Sequence, residues 1–178
     1  PVLSPAAFPP KAGPWKWKLL DSSKTCLRLY TSGSTGARKA VPKTLANIEA
    51  ELSVLEKTFG GRLGDCAILS TVSHQHIYGM LFRLLWPLCA GRPFISETPL
   101  LWAELLAARR SLPAVSLVSS PVHLEHASGP GGNAAPPAGC RIIFSSGAPL
   151  GKNTAEAIRE RWGLPVIEVF GSTETGGV

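Results

Sequence analysis

The stretch LYTSGSTGARKAVPKT, from Leu29 to Thr44, joins three kinds of local signal. It closes a short apolar run, CLRLYT (26–31), whose position before a Gly/Ser/Thr loop predicts a buried strand. Beyond the loop, Leu45, Ile48, Leu52, Leu55 and Phe59 recur at helical spacing, with Thr44 as the expected N-cap and Gly60 and Gly61 as the expected stop. Between strand and helix, Thr31, Ser32, Ser34 and Thr35 surround Gly33 and Gly36, and Arg38 and Lys39 follow. Glycines admit close backbone approach, successive N–H groups form an anion nest, hydroxyls donate, and Lys39 adds charge. The spacing is neither a Walker A motif nor a GxGxxG fingerprint. Composition alone leaves two readings of this loop: a phosphate cradle and a flexible surface turn.

The strand–loop–helix pattern repeats along the chain. Strands are predicted at AILST (67–71), RPFIS (92–96), AVSLVSS (114–120), RIIFS (141–145) and PVIEVF (165–170). Helices are predicted over 77–88, from Thr98-Pro99 through LLWAELLAARR, and over 152–162. Several strands are apolar on both faces. The expected fold class is therefore α/β, a mostly parallel sheet flanked by helices. Three polar loops follow strands, at 32–38, 145–149 and 171–177. If those strands are parallel, all three loops meet at the carboxyl edge, where such sheets bind ligands. Residues 1–25 read as an irregular leading segment and 26–178 as the folded unit. SGPGGNAAPPAG (128–139) reads as a mobile low-complexity loop.

The 178 residues suffice for one domain with a real core, and 44% hydrophobic with 17% charged residues is a globular composition. The net charge of +6 admits anionic partners, but the basic residues are scattered, so no nucleic-acid partner is expected. Cysteines at 26, 66, 89 and 140 form no CxxC pair and are expected as free thiols in a cytoplasmic protein. IYGMLFRLLWPLCAG is interrupted by Arg83 and Pro87, so it reads as a buried helix and no membrane span is expected. The start at Pro1 without Met suggests a processed or cut chain.

Other polar clusters carry weaker chemistry. FGSTETGG places Glu174 among hydroxyls and glycines, where a lone carboxylate would hold Mg²⁺ against phosphate oxygens or serve simply as a solvated or capping acid. His74 and His76 would share a face on a strand. With His123, Glu125 and His126 they have no zinc spacing, so one pocket histidine is the better reading. There is no GxSxG elbow and no HExxH.

Taken together, the loops resemble the AMP-forming adenylating enzymes: acyl-CoA synthetases, aryl acid ligases, luciferases and peptide-synthetase adenylation domains. YTSGSTGARKAV resembles that family's phosphate loop, TSGSTGxPKGV. HIYGMLFRLLWPLCAG resembles its acyl-pocket segment, SSGAPL its adenine-side turn, and VFGSTETGG its YGSTETGG segment. The four occur in the family's order over roughly residues 26–178. The resemblance implies that Thr31, Ser32, Gly33, Ser34, Thr35, Gly36 and Lys39 hold the β- and γ-phosphates of ATP. It implies that Gly147, Ala148 and Pro149 border adenine, and that Phe170, followed by Gly171, lies against it. Thr173 would contact the α-phosphate, Glu174 would bind Mg²⁺, and His76 and Tyr78 would approach the acyl pocket.

The sequence departs from the family pattern at Arg38 for Pro, Ala40 for Gly, Ser146 for Gly, Ser73 for Pro and Phe170 for Tyr. None of these removes a residue the chemistry requires. The family's Thr-Gly-Asp segment, hinge and C-terminal domain with its catalytic lysine do not occur before Val178, so the chain is expected to be part of the large N-terminal domain and inactive alone. The implied reaction is attack of a carboxylate on ATP, giving an acyl-adenylate, then transfer to the thiol of CoA or an acyl carrier protein. Lys39, Thr173 and Glu174 would carry the charge stabilisation. The expected acid is aromatic, such as a hydroxybenzoate, or fatty. The alternative reading is a non-catalytic nucleotide-binding module.

Overall fold

A computed structural model of the chain describes residues 19–32, 38–129 and 131–176, and of Ser32 and Arg38 only the backbone. Strands β3 (Ala67–Ser70), β4 (Val115–Ser119), β5 (Cys140–Ser145) and β6 (Val166–Glu168) form one sheet in the order β3-β4-β5-β6, all parallel. Every side chain of β3 and β4 is buried, three small serines among the apolar residues, as befits strands covered on both faces. One face carries Ile48, Leu52, Phe82, Trp86, Val118 and Phe144. The other carries Leu105, Leu117, Leu124, Ile143, Ile158 and Trp162. The α/β class with a parallel sheet between helices is thus the observed architecture.

The first strand departs from expectation. β1 (Cys26–Ser32) does not enter the parallel sheet. It pairs antiparallel with β2 (Arg38–Thr44), Thr31 opposite Lys39 and Cys26 opposite Thr44. Leu27 and Leu29 turn half-buried toward the core while Arg28 and Tyr30 are exposed. That alternation suits a strand with one wet face, not a fully buried one.

Helix α1 (Leu45–Leu63) starts as its sequence predicts. Thr44 Oγ1 accepts from Asn47 N–H at 3.1 Å, and Asn47 Oδ1 accepts from Thr44 N–H at 3.1 Å, a reciprocal cap. Gly60 and Gly61 do not stop it. The helix runs on to bury Leu63 and ends at Gly64, while the Gly60 carbonyl accepts from Arg92. The expected strand at 92–96 is reduced to one parallel bridge, Ile68 to Phe94.

The predicted helix over 77–88 is continuous but not uniform: α2 (Ile77–Gly79), a π-helical segment (Met80–Leu85) and α3 (Trp86–Cys89). Arg83 is buried within it. Its guanidinium donates to Val72 O, Ser96 O, Glu97 O and Thr98 Oγ1. Thr98 therefore caps no helix. α4 starts later (Trp102–Arg109), its Leu100 and Leu101 N–H groups donating to Glu104. α5 spans Pro121–Ser128, and α6 spans Lys152–Trp162 as read.

The Gly/Pro/Ala loop after α5 is fastened rather than loose. Trp102 and Trp162 stack at 5.4 Å and donate to Ala135 O and Ala134 O. Arg161 donates to Gly132 O and Asn133 Oδ1, and Arg109 to Ala138 O. No described helix is long and apolar enough to cross a membrane.

Candidate active site

The carboxyl ends of β5 and β6 deliver two of the three polar loops to one edge of the sheet. The end of β1, Leu29 to Thr31, reaches that edge by another route, from the antiparallel pair of β1 with β2. A cavity of about 860 Å³ opens between them. Of the residues picked out in the sequence, Thr31, His76, Tyr78, Gly147, Ala148, Pro149, Phe170, Gly171 and Thr173 line it. Gly33, Ser34, Thr35 and Gly36 lie outside the described residues, as does the Ser32 side chain. Lys39 and Glu174 do not line the cavity but meet next to its Thr173 wall, Lys39 Nζ donating to Glu174 Oε1 at 3.2 Å.

Local chemistry shapes each wall. The turn after β5 is tied to β6 and the residue that follows it: Ser146 Oγ donates to Val169 O at 2.6 Å, and Leu150 N–H donates to Glu168 Oε2 at 2.9 Å. Phe170 lines the cavity and is 90% exposed. Glu168 also lines the cavity, a carboxylate that its strand pattern did not single out.

On the opposite wall, His74 and His76 do not share a strand face. They lie in the turn that leads into α2, with His76 at its N-cap position. Gly79 explains why the segment needs His-x-x-Gly: a Cβ there would sit 2.1 Å from Ser73 O, so only glycine allows the helix to pack on its own lead-in turn. Tyr78 packs at a tilt against Phe82, ring centroids 5.0 Å apart. Its hydroxyl is buried and finds no hydrogen-bond partner among the described residues. Burial pushes the phenol well above its ordinary range, so it stays protonated.

Electrostatics single out Glu174. The Lys39 hydrogen bond, seconded by a backbone N–H, holds its carboxyl below the usual range. Lys43, which the sequence did not mark, donates from Nζ to Glu174 O at 2.9 Å. Among the described residues there is no group of three or more His, Cys, Asp or Glu able to enclose a metal. His123 instead bonds Ser120 through Nδ1 at 2.9 Å, at the start of α5.

Comparisons with known proteins agree with this geometry. The family model described as AMP-binding enzyme matches residues 6–178. The chain is 31% identical over 162 residues to a 4-coumarate–CoA ligase of Rhodobacter capsulatus, covering 90% of this chain and 41% of that protein. It is 26% identical over 163 residues to peroxisomal OPC-8:0-CoA ligase 1 of Arabidopsis thaliana, covering 89% and 30%. Apo MatB from Rhodopseudomonas palustris superposes with a TM-score of 0.76 at 20% identity, over 89% of this chain and 31% of that one. The chain thus spans well under half the length of these proteins.

Proposed function

The chain belongs to the AMP-binding enzyme family, and on that premise we propose that the whole protein uses ATP to activate a carboxylic acid as an acyl-adenylate and passes the acyl group to a thiol. One observation carries this reading. A single cavity is walled by the adenine-side turn, the Phe170–Thr173 segment, the end of β1 and the His76–Tyr78 segment. Those are the parts that a nucleotide and an acid must share.

In this reading Thr31, Ser32, Gly33, Ser34, Thr35, Gly36 and Lys39 hold the β- and γ-phosphates through hydroxyls, backbone N–H groups and one ammonium. Gly147, Ala148 and Pro149 border adenine, and the exposed Phe170 ring offers it a face. Thr173 donates to the α-phosphate. Attack of the acid carboxylate on that phosphorus forms the acyl–phosphate bond and releases pyrophosphate. The protein's share is alignment and neutralisation of charge that grows on the phosphate oxygens.

Glu174 fits a magnesium role. Its carboxyl is kept ionised by Lys39, and Mg²⁺ is ordinarily held by one or two carboxylates together with substrate phosphates. Bound there, the metal would supply further charge neutralisation on the phosphates. The acid lies toward His76 and Tyr78, whose unsatisfied buried hydroxyl suits a polar group on an aromatic acid. CoA is the acceptor that the named ligases suggest, and a carrier-protein thiol would serve the same chemistry.

The test is acid-dependent pyrophosphate–ATP exchange by the whole protein across aromatic and fatty acids. Exchange with at least one acid is expected, and Glu174→Gln should lower it about 100-fold, on the scale of other charge-stabilising groups. Mg·ATP binding with no exchange for any acid would leave a nucleotide-binding module and end the ligase reading.

A further inference from the structure

We propose that Lys43 and Glu51 act as a buried charged pair that positions the Glu174 turn for Mg·ATP, a role that rests on the function proposed above. Lys39, Val41 and Lys43 alternate along β2 and therefore share one face with their cross-strand partners Thr31, Leu29 and Leu27 of β1. That face looks inward, and Val41 is buried on it. Lys43 is buried too: its side chain is only 9% exposed, and that of Glu51, on α1, 12%. Their Nζ and Oε1 atoms are 3.7 Å apart.

Both partners touch the turn that carries Glu174. Lys43 Nζ donates to the Glu174 carbonyl at 2.9 Å, while Lys39 holds the carboxylate of the same residue. Two lysines on one strand face thus grip a single glutamate by its backbone and its side chain. Glu51 supports the far end. Gly176 has φ of +100°, and a Cβ there would come within 2.5 Å of Glu51 Oε1, so the turn's backbone rests directly on that carboxylate. Within the turn, Ser172 N–H donates to Thr175 Oγ1 at 3.0 Å, Thr175 N–H to Ser172 Oγ at 3.1 Å, and Gly176 N–H to Ser172 O at 2.8 Å. It therefore moves as one piece.

A buried pair is an expensive way to pack a strand on a helix, because two apolar side chains would fill the space without desolvating charge. What apolar residues cannot supply is a donor aimed at the Glu174 carbonyl. The pair gives a turn of small polar residues a fixed height and orientation beside the cavity. Lys43 and Glu51 are accordingly positioning residues and need touch neither nucleotide nor acid.

The test uses the whole protein carrying Lys43→Met together with Glu51→Leu, which removes both charges of the pair at once. Calorimetry should show Mg·ATP binding weakened about tenfold, the scale of one charge-assisted hydrogen bond lost from the turn. The KM for Mg·ATP should rise in step, with the KM for the acid unchanged and the melting temperature not lowered. Lys43→Arg, which keeps a cationic donor, should bind Mg·ATP within about twofold of wild type. Should the double variant fail to fold, Glu51→Gln keeps the shape and removes the charge, and it should weaken binding about threefold. Wild-type Mg·ATP affinity in the folded double variant, or in Glu51→Gln, overturns the proposal. Unaltered exchange in the parent together with unaltered affinity in the variants defeats positioning alone. Mg·ATP binding that weakens as expected in a parent that exchanges with no acid defeats the ligase reading alone.

Discussion

Glu174 is held at both ends, and its two lysines do different work. Lys39 sets the charge state: its ammonium holds the carboxyl below the usual range, so the group stays ionised to lower pH than a free glutamate. The folded pKa is depressed, so whatever depends on this carboxylate is intact above the ordinary value and is lost as pH falls through the folded one. Lys39→Met should let the carboxyl return toward about 4.5, the ordinary value, and move the acid limb of Mg·ATP binding to higher pH. Affinities measured between about pH 3 and 6 check this. Superimposable limbs would show that Lys39 does not tune Glu174.

At the scale of elements, the sequence located helices and strands better than it located their ends. The Thr44 cap and the span of α6 were readable because their signals lie within a few residues of each other. Thr98-Pro99 looked like a helix start, yet the Thr98 hydroxyl is committed to Arg83, 15 residues away. Arg83 itself looked like an interruption of an apolar helix and is instead a tie between that helix and two loops. Arg83→Met should leave four partly buried acceptors without their donor. The expected loss is about 3–5 kcal/mol in urea unfolding, the range for breaking a buried charged network. A loss below about 1 kcal/mol would mean that water replaces the guanidinium at little cost. The Gly/Pro/Ala loop makes the same point. Its composition spoke for motion, whereas the two tryptophans and two arginines that fasten it belong to α4 and α6.

For the whole molecule, the sheet is the frame, and its two faces have separate cores. On one face Phe144 sits at the centre of an aromatic cluster, 5.2 Å from Phe59, 5.2 Å from Phe82 and 5.9 Å from Trp86. This cluster joins β5 to α1 and to the helix whose start bears Tyr78. Phe144→Ala should destabilise the fold by about 3–5 kcal/mol, read from denaturant midpoints. It should also loosen the acid side of the cavity, because Phe82 is the ring under Tyr78.

The amino-acid sequence by itself determined the class of fold, the four strands that form the parallel sheet, and two of the loops that bound the cavity. Periodicity, caps and glycine-rich turns are local, and a chain expresses them wherever it folds. Tertiary structure alone decided the rest. The strand before the first loop turned back into a hairpin because Leu27 and Leu29 had one apolar surface to cover, not two. Lys43 read as one more solvated cation among 18 basic residues until burial brought it to a carbonyl 131 positions away. A charge acquires its role from what surrounds it, and for Lys43 and Arg83 those surroundings come from distant parts of the chain.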